Sequence, residues 1–159
     1  MPGKLVYHSL RNYKWMRAEL FAEFGQEKFE LLEFGAGKGL GYKERPRPAR
    51  YKGTTKFCKN AVYGRNRGIL LICTDFLNTQ DYPLNQDAII IRRADRFPPY
   101  TTIQKIKTAL SPTGVAIITV LKDNDSEYIH QVREAFTHVF ITDKNIGVEN
   151  ITMIKMSNN

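Results

Sequence analysis

The stretch from Glu30 to Gly39, ELLEFGAGKG, determines how this chain folds. A short apolar run ends at the acidic residue Glu33, and glycines follow at alternate positions as Gly35, Gly37 and Gly39. A continuous apolar run of this length is typical of a strand buried on both faces. Because glycine lacks a Cβ atom, the loop after the strand can lie against a ligand without a steric clash. The stretch therefore predicts a buried strand that leads directly into a ligand-binding loop.

Two common glycine-rich loops do not match this spacing. A phosphate-binding P-loop requires GxxxxGK followed by Ser or Thr, which no window from Gly35 to Gly41 provides. A dinucleotide-binding loop requires GxGxxG, whereas the glycines here alternate strictly. The remaining pattern is acid-x-G-x-G-x-G at a strand end. It suits a nucleoside-like ligand, and the carboxylate of Glu33 can accept hydrogen bonds from an amino group.

The rest of the sequence alternates between helical and strand-like segments. Apolar residues at helical spacing predict three helices, over 10–24, 100–110 and 126–136. Short apolar runs predict further strands, over 68–76, 87–91 and 115–121. Two last strand-like segments, 138–142 and 150–156, are separated by seven residues, too few for a parallel crossover, so they should pair antiparallel. The sequence thus predicts a single α/β domain over 1–159, with a mostly parallel, Rossmann-like sheet and a C-terminal antiparallel hairpin.

The positive charge of the chain is concentrated in one segment. Residues 42–68 hold nine basic side chains and one acidic one, a net charge of +8 that equals the charge of the whole chain. A polycation favours a polyanionic partner, with nucleic acid ahead of membrane lipid, and the aromatic residues between the cations offer stacking surfaces. We expect RNA binding through four residues, Arg45, Arg47, Arg50 and Lys52; the alternative is a solvated basic loop without a specific partner. Prolines and glycines predict that 42–67 is mostly irregular, with a short helix near 55–62.

The composition excludes several classes of protein. The 159 residues suffice for one domain, and the sequence has neither an apolar stretch long enough to span a membrane nor a signal peptide. The two cysteines, Cys58 and Cys73, indicate a reducing compartment and exclude a disulfide-rich scaffold and a four-cysteine zinc site. The three histidines add no metal-ligand spacing. We therefore expect a cytoplasmic protein without a metal site and without a membrane partner.

The pattern from Glu33 to Gly39 resembles motif I of the class I S-adenosylmethionine-dependent methyltransferases. The segments DAIII (87–91), LSPTG (110–114) and VAIITVL (115–121), together with the final hairpin, resemble later parts of the same family. The resemblance therefore covers nearly the whole chain. It implies that S-adenosylmethionine is the cofactor and that Glu33 and the three glycines help to hold it.

The family also implies an acidic residue after its second strand, which binds the ribose hydroxyls of the cofactor. Asp75 follows the apolar run ILLICT and is the candidate, because a carboxylate can accept hydrogen bonds from both hydroxyls. A turn-forming aspartate is the alternative. Asp75 lies forty residues after Gly35, and about a dozen residues then lead to DAIII. This spacing leaves no room for the usual third strand, so a reduced sheet is expected.

Within the family, the chain most resembles the FtsJ/RrmJ-like ribose 2′-O-methyltransferases, including the nidovirus enzymes that share the string FGAG (34–37). These enzymes use a Lys-Asp-Lys-Glu tetrad, in which a lysine orients or deprotonates a poorly nucleophilic ribose hydroxyl. Lys14 and Glu149 match the first and last members by position. The resemblance thus implies an RNA 2′-O-methyltransferase, of viral origin and active in mRNA capping.

The two middle members of the tetrad do not match. Arg92 and Thr119 occupy their expected positions, and the nearest substitutes, Asp95 and Lys122, are each three residues late. Three residues along a strand reverse the direction of a side chain, so simple replacement is doubtful unless the strand ends there. Two alternatives therefore stay open. One is an inactive methyltransferase-like RNA-binding module or an activating subunit for a protein partner; the other is a methyltransferase acting on a base or cap nitrogen.

Overall fold

The computed structural model describes the backbone of residues 2–158 and the side chains of residues 9–158. Its centre is a sheet of seven strands: β1 (Phe29–Glu33), β2 (Ala49–Thr55), β3 (Leu71–Cys73), β4 (Gln86–Ile91), β5 (Leu110–Leu121), β6 (His138–Ile146) and β7 (Glu149–Ser157). The strand order is β3-β2-β1-β4-β5-β7-β6. Strands β1 to β5 are parallel, and β7 runs antiparallel between β5 and β6. The predicted α/β fold, with its mostly parallel sheet and C-terminal hairpin, is confirmed.

Helices cover both faces of this sheet. They are α1 (Pro2–Phe24), α2 (Leu40–Lys43), α3 (Cys58–Arg65), α4 (Pro99–Ala109) and α5 (Asp125–Ala135), with short 3-10 turns at Ala94–Arg96 and Lys122–Asn124. Alternate residues of each strand face opposite sides, so Leu31 packs with the α1 side chains Met16 and Leu20, whereas Leu32 packs on the side of α4 and α5. Helix α1 runs from the carboxyl edge of the sheet to the amino edge, where Phe24 stacks on Phe29.

Segment 42–67 is not mostly irregular, which corrects that prediction, although the expected short helix is present. It contains β2 and α3, and β2 pairs in register with β1 from Phe29↔Ala49 to Glu33↔Gly53. The cations of this strand are stabilised across the pair, because Arg50 and Lys52 both form ion pairs with Glu30. Strand β2 was not predicted because these charged residues interrupt the apolar pattern by which a strand is recognised in a sequence.

The sheet is therefore not reduced. The run over 68–76 supplies β3, the third strand, and not the second. Asp75 consequently follows β3, whereas β2 ends in Thr55 and continues into Lys56 and Phe57 without an acidic residue. The expectation that Asp75 follows the second strand is corrected by this topology.

The two cysteines form a disulfide. Cys58 begins α3 and Cys73 ends β3, and their Cα atoms lie 5.0 Å apart. The sequence did not predict this pairing; the return of the chain from α3 into β3 brings the two side chains together. Within residues 2–158, no helix is long and apolar enough to cross a membrane.

Candidate functional site

A cavity of about 280 Å³ opens at the carboxyl edge of the sheet, where β1 to β4 end. Its walls come from four successive connections of the chain: Gly35, Gly37, Thr54, Thr55, Lys56, Phe57, Thr74, Asp75, Phe76, Arg96 and Phe97. The strand order reverses direction at β1, between β2 and β4. In open parallel sheets, ligands bind in the crevice at such a switch point. The position alone makes this cavity the candidate ligand site.

The glycine loop forms the floor of the cavity. At Gly37 the backbone has a φ of +57°, and an added Cβ atom would meet nothing within 4 Å. At Gly35 an added Cβ would lie 2.9 Å from the ring of Phe97, and at Gly39 it would lie 3.0 Å from Ile69. Gly37 therefore leaves room for a ligand, whereas Gly35 and Gly39 permit close packing of the protein itself. Gly39 does not line the cavity.

The end of β2 holds the glycine loop in place. The backbone N–H of Ala36 donates to the carbonyl oxygen of Thr54 at 2.7 Å, and the N–H of Gly35 donates to Thr54 Oγ1 at 3.1 Å. Thr54 is fully buried. The loop conformation is thus fixed by β2 before any ligand arrives.

Glu33 lies beneath the glycine loop and not in the cavity wall. Its side chain is fully buried, and its two carboxylate oxygens accept hydrogen bonds from the hydroxyl groups of Tyr13 and Tyr51. Burial raises the pKa of Glu33, against the opposing effect of these two hydrogen bonds and of the positive charges of Arg92 and Arg96. Glu33 therefore connects α1, β1 and β2 under the loop that forms the site.

Asp75 is the acidic residue of the cavity, the one carboxylate among the wall residues in the described part of the chain. Oδ1 accepts a hydrogen bond from the N–H of Leu77 at 3.1 Å, and Oδ2 accepts one from the side-chain amide of Asn78 at 2.7 Å. Each carboxylate oxygen has a second lone pair available for a ligand. Asp75 therefore forms a turn, the alternative noted from the sequence, and it also lines the cavity, where its role in holding a ligand stays a prediction.

Two cations, Lys56 and Arg96, balance this carboxylate. The guanidinium of Arg96 lies 4.7 Å from the ring centre of Phe97 and donates to the carbonyl oxygens of Arg92 at 2.9 Å and Arg93 at 3.0 Å. Burial and the neighbouring charge of Arg92 lower the pKa of Arg96. Neither cation was a sequence candidate, because the strand that precedes Lys56 was not recognised and Arg96 belongs to no motif.

The structure brings together two of the four expected tetrad residues. Asp95 and Glu149 both bind Arg93, whose guanidinium lies 2.9 Å from Asp95 Oδ1 and 3.0 Å from Glu149 Oε2. Burial raises the pKa of Asp95, but the hydrogen bond and charge of Arg93 outweigh it, so the pKa is lowered overall. Lys122 instead pairs with Asp143 at the surface. Lys14 is exposed on α1 and lines a different cavity.

Arg92 and Thr119 also have defined positions. Thr119 is fully buried, and its Oγ1 accepts a hydrogen bond from the N–H of Arg93 at 2.9 Å. Arg92 lies near Tyr13 and Glu33, since its positive charge lowers the pKa of both. Arg93, which sequence reasoning missed, has a φ of 53° in the left-handed region, rare for a residue other than glycine. That backbone conformation has no signal in the sequence.

The four expected RNA-binding residues lie away from the cavity, at or near the amino end of β2. Arg45 donates to the carbonyl oxygens of Tyr42 at 2.7 Å and Ala49 at 3.1 Å, and it stacks on the ring of Tyr42 at 3.9 Å. Arg50 and Lys52 pair with Glu30, whereas Arg47 is exposed. None of the four lines the cavity at the carboxyl edge.

No protein-family model and no curated protein sequence matches the chain. Solved structures resemble it along nearly its whole length. One is the 1,6-didemethyltoxoflavin-N1-methyltransferase of Burkholderia thailandensis with bound S-adenosylhomocysteine (TM-score 0.75, 17% identity, 99% of this chain and 83% of that one). Others are the magnesium protoporphyrin IX methyltransferase of Synechocystis PCC 6803 with bound S-adenosylmethionine (0.72, 11%, 94% and 80%) and the N-methyltransferase NodS of Bradyrhizobium japonicum WM9 (0.70, 15%, 91% and 95%). The chain therefore has the fold seen in S-adenosylmethionine-dependent class I methyltransferases.

Proposed function

We propose that this chain binds S-adenosylmethionine in the cavity at the carboxyl edge and transfers its methyl group to an acceptor. The observation that carries the proposal is that Gly35, Gly37 and Asp75, all expected from the sequence to hold this cofactor, line one cavity at the switch point of the sheet. The fold is the one in which two similar structures hold the same cofactor or its product. These structural similarities support the proposal, as do the side chains of the cavity wall.

The side chains of the cavity fit the chemical groups of this cofactor. Phe57, Phe76 and Phe97 offer flat apolar surfaces for an adenine ring. The carboxylate of Asp75 can accept hydrogen bonds from ribose hydroxyls or from the adenine amino group. Lys56 and Arg96 can bind a carboxylate. When bound, S-adenosylmethionine supplies an electrophilic methyl group on its sulfonium.

The chain's own residues would position this group and exclude water from it. Gly37 leaves space above the loop, and Thr54 fixes the loop through two hydrogen bonds. Phe57, 55% exposed at the cavity wall, can fold over a bound ligand and exclude water. Glu33 acts as a positioning residue, because its carboxylate joins the hydroxyl groups of α1 and β2 beneath the loop.

We propose RNA as the acceptor, methylated on a base or cap nitrogen in preference to a ribose hydroxyl. The ribose mechanism needs a lysine held beside the acids of the tetrad, but Arg93 forms the ion pairs with Asp95 and Glu149. Arginine stays protonated and cannot serve as a general base. A base-directed methyltransferase does not require the tetrad, so this mechanism agrees better with the observed contacts.

The second candidate function is a methyltransferase-like RNA-binding module without activity. The same Arg93 favours it, because it forms ion pairs with the two acids that a catalytic lysine would need. Incubation of the chain with tritiated S-adenosylmethionine and RNA separates the two candidates. After alkaline hydrolysis of the RNA, label in mononucleotides shows methylation of a base and supports the first candidate. Cofactor binding without transfer of label supports the second. Label in a linkage that resists alkali shows methylation of a ribose and would contradict the base-directed mechanism.

A further inference from the structure

Three cavities on the α1 side of the molecule have several basic side chains in their walls. Their volumes are about 490, 430 and 380 Å³. The first contains Lys14 and Lys144, the second Arg17 and Lys43, and the third Lys28. Within the described part of the chain, no Asp or Glu lines any of them. Such a one-signed surface, on a chain whose net charge is +8, attracts a polyanion.

The three cavities form one continuous path, here called the α1 band. The second and third share Arg45 and Arg47, and the first and second meet on α1, where Lys14 and Arg17 are three residues apart and hence neighbours on the helix surface. The upper end of the band lies at Lys144, near the carboxyl end of β6. Because β6 runs in the same direction as β5, this end lies at the carboxyl edge of the sheet. The lower end lies at the amino end of β2. From Lys14 to its end at Phe24, helix α1 spans about 15 Å, at about 1.5 Å per helical residue.

Aromatic rings lie within this path. Trp15 lines the upper cavity and Lys144 lies 5.6 Å from its ring centre; Tyr42 lines the lower two cavities and carries Arg45 on one face. Both rings are partly exposed. Sites for single-stranded nucleic acid have two components: basic side chains along the path of the phosphate backbone, and aromatic rings on which the bases stack. In the described part of the chain, none of the large exposed apolar side chains, such as Phe21, Val62 and Val148, lines any of the three cavities.

We infer that the α1 band binds single-stranded nucleic acid. The bound strand would run from the amino edge of the sheet along α1 to the carboxyl edge, at which the cofactor cavity opens. This deepens the proposed function, because it states where an RNA acceptor is held. It rests on its own observation, however, since binding along the band requires neither cofactor nor methyl transfer. Lys14, expected from the sequence to be catalytic, is assigned to the band.

The test is fluorescence anisotropy with a labelled oligouridine of about twelve nucleotides, measured without cofactor over a range of salt concentrations. The variant is Arg17→Gln with Arg47→Gln, both exposed residues of the band. The matched control is Lys107→Gln with Arg133→Gln, which removes the same charge from exposed positions of α4 and α5 on the opposite face. Each phosphate contact contributes a salt slope of about 0.7 for single strands, so the band variant should lower the slope by about 1.4 and the affinity at about 0.1 M salt by about 25-fold. The control should bind like the wild type.

Trp15 supplies a second signal, because it is the one tryptophan of the chain. Stacking of a base should quench its fluorescence, whereas inorganic polyphosphate or anionic phospholipid vesicles should not. Equal losses in the band variant and the control, or an unchanged salt slope in the band variant, would overturn the inference. So would polyphosphate or vesicles binding as tightly as oligouridine with no quenching. Titration of the band variant with S-adenosylhomocysteine keeps the two proposals apart, since its cofactor binding should equal that of the wild type.

Discussion

Replacement of Asp75 by asparagine should weaken cofactor binding without unfolding the site. The variant keeps an Oδ1 acceptor for the N–H of Leu77, and the amide of Asn78 can rotate to pair with the new side chain, so the turn after β3 is retained. What is lost is the negative charge that accepts hydrogen bonds from the ligand. A hydrogen bond to a charged group contributes about 1.5–3 kcal/mol. With about 1.4 kcal/mol for each factor of ten, the Kd for S-adenosylhomocysteine should rise roughly ten- to hundredfold.

Isothermal titration calorimetry of three proteins measures this effect. Asp81→Asn is the matched control, because it removes the same charge from a nearby exposed position outside the cavity wall. Its Kd should equal that of the wild type. If Asp75→Asn binds S-adenosylhomocysteine as tightly as the wild type, or if both variants lose the same affinity, Asp75 does not contact the ligand and the assignment of its role is refuted.

Three further predictions concern the supports of the site. Gly41→Ala would place a Cβ atom in steric conflict with Glu33 Oε1, so urea unfolding should show a loss of about 1–3 kcal/mol that shrinks in combination with Glu33→Ala; an additive pair would contradict the contact. Because burial raises the pKa of Glu33 above 4.5, its protonation stabilises the fold at pH values below 4.5, and this contribution is lost as the pH rises through the folded-state pKa; Glu33→Gln should remove this contribution from the pH profile of stability, and an unchanged profile would argue against a buried titrating carboxylate. Reduction with dithiothreitol should cost about 3 kcal/mol for the 15-residue separation closed by Cys58 and Cys73, and the double serine variant should no longer respond to the reductant; a variant that still responds would exclude the disulfide as the cause.

The parts of the fold that sequence reasoning predicted are those whose apolar pattern is strong. Strand β1, the helix over 100–110 and the terminal hairpin all have continuous or periodic apolar residues. Strand β2 was missed because its outward residues, Arg50 and Lys52, are cations held by Glu30, a contact between strands that are distant in sequence. That omission displaced the strand count and led to the wrong strand being assigned to Asp75.

In the site, too, the residues marked by a local sequence pattern could be predicted, whereas those that depend on tertiary contacts could not. The glycine loop and Asp75 are local signals, and the structure places Gly35, Gly37 and Asp75 in one cavity wall. The surroundings of Glu33 depend on Tyr13 from α1 and Tyr51 from β2, and no spacing in the sequence indicates that these hydroxyl groups converge on it. Likewise, the link of Asp95 to Glu149 through Arg93 depends on a left-handed backbone conformation that the sequence does not specify.

Calorimetric titration with S-adenosylhomocysteine tests the central claim, cofactor binding at the glycine loop, most directly. The wild type should bind one equivalent with a Kd below millimolar. Gly37→Val should abolish binding, since its side chain would enter the space above the loop, where an added Cβ atom meets nothing within 4 Å. Gly68→Val, the same change at a glycine with a φ of +74°, open surroundings and a position outside the cavity wall, should bind like the wild type. A wild-type chain that gives neither heat nor a thermal shift at millimolar ligand, or a Gly37→Val variant that binds as well as Gly68→Val, would contradict the account.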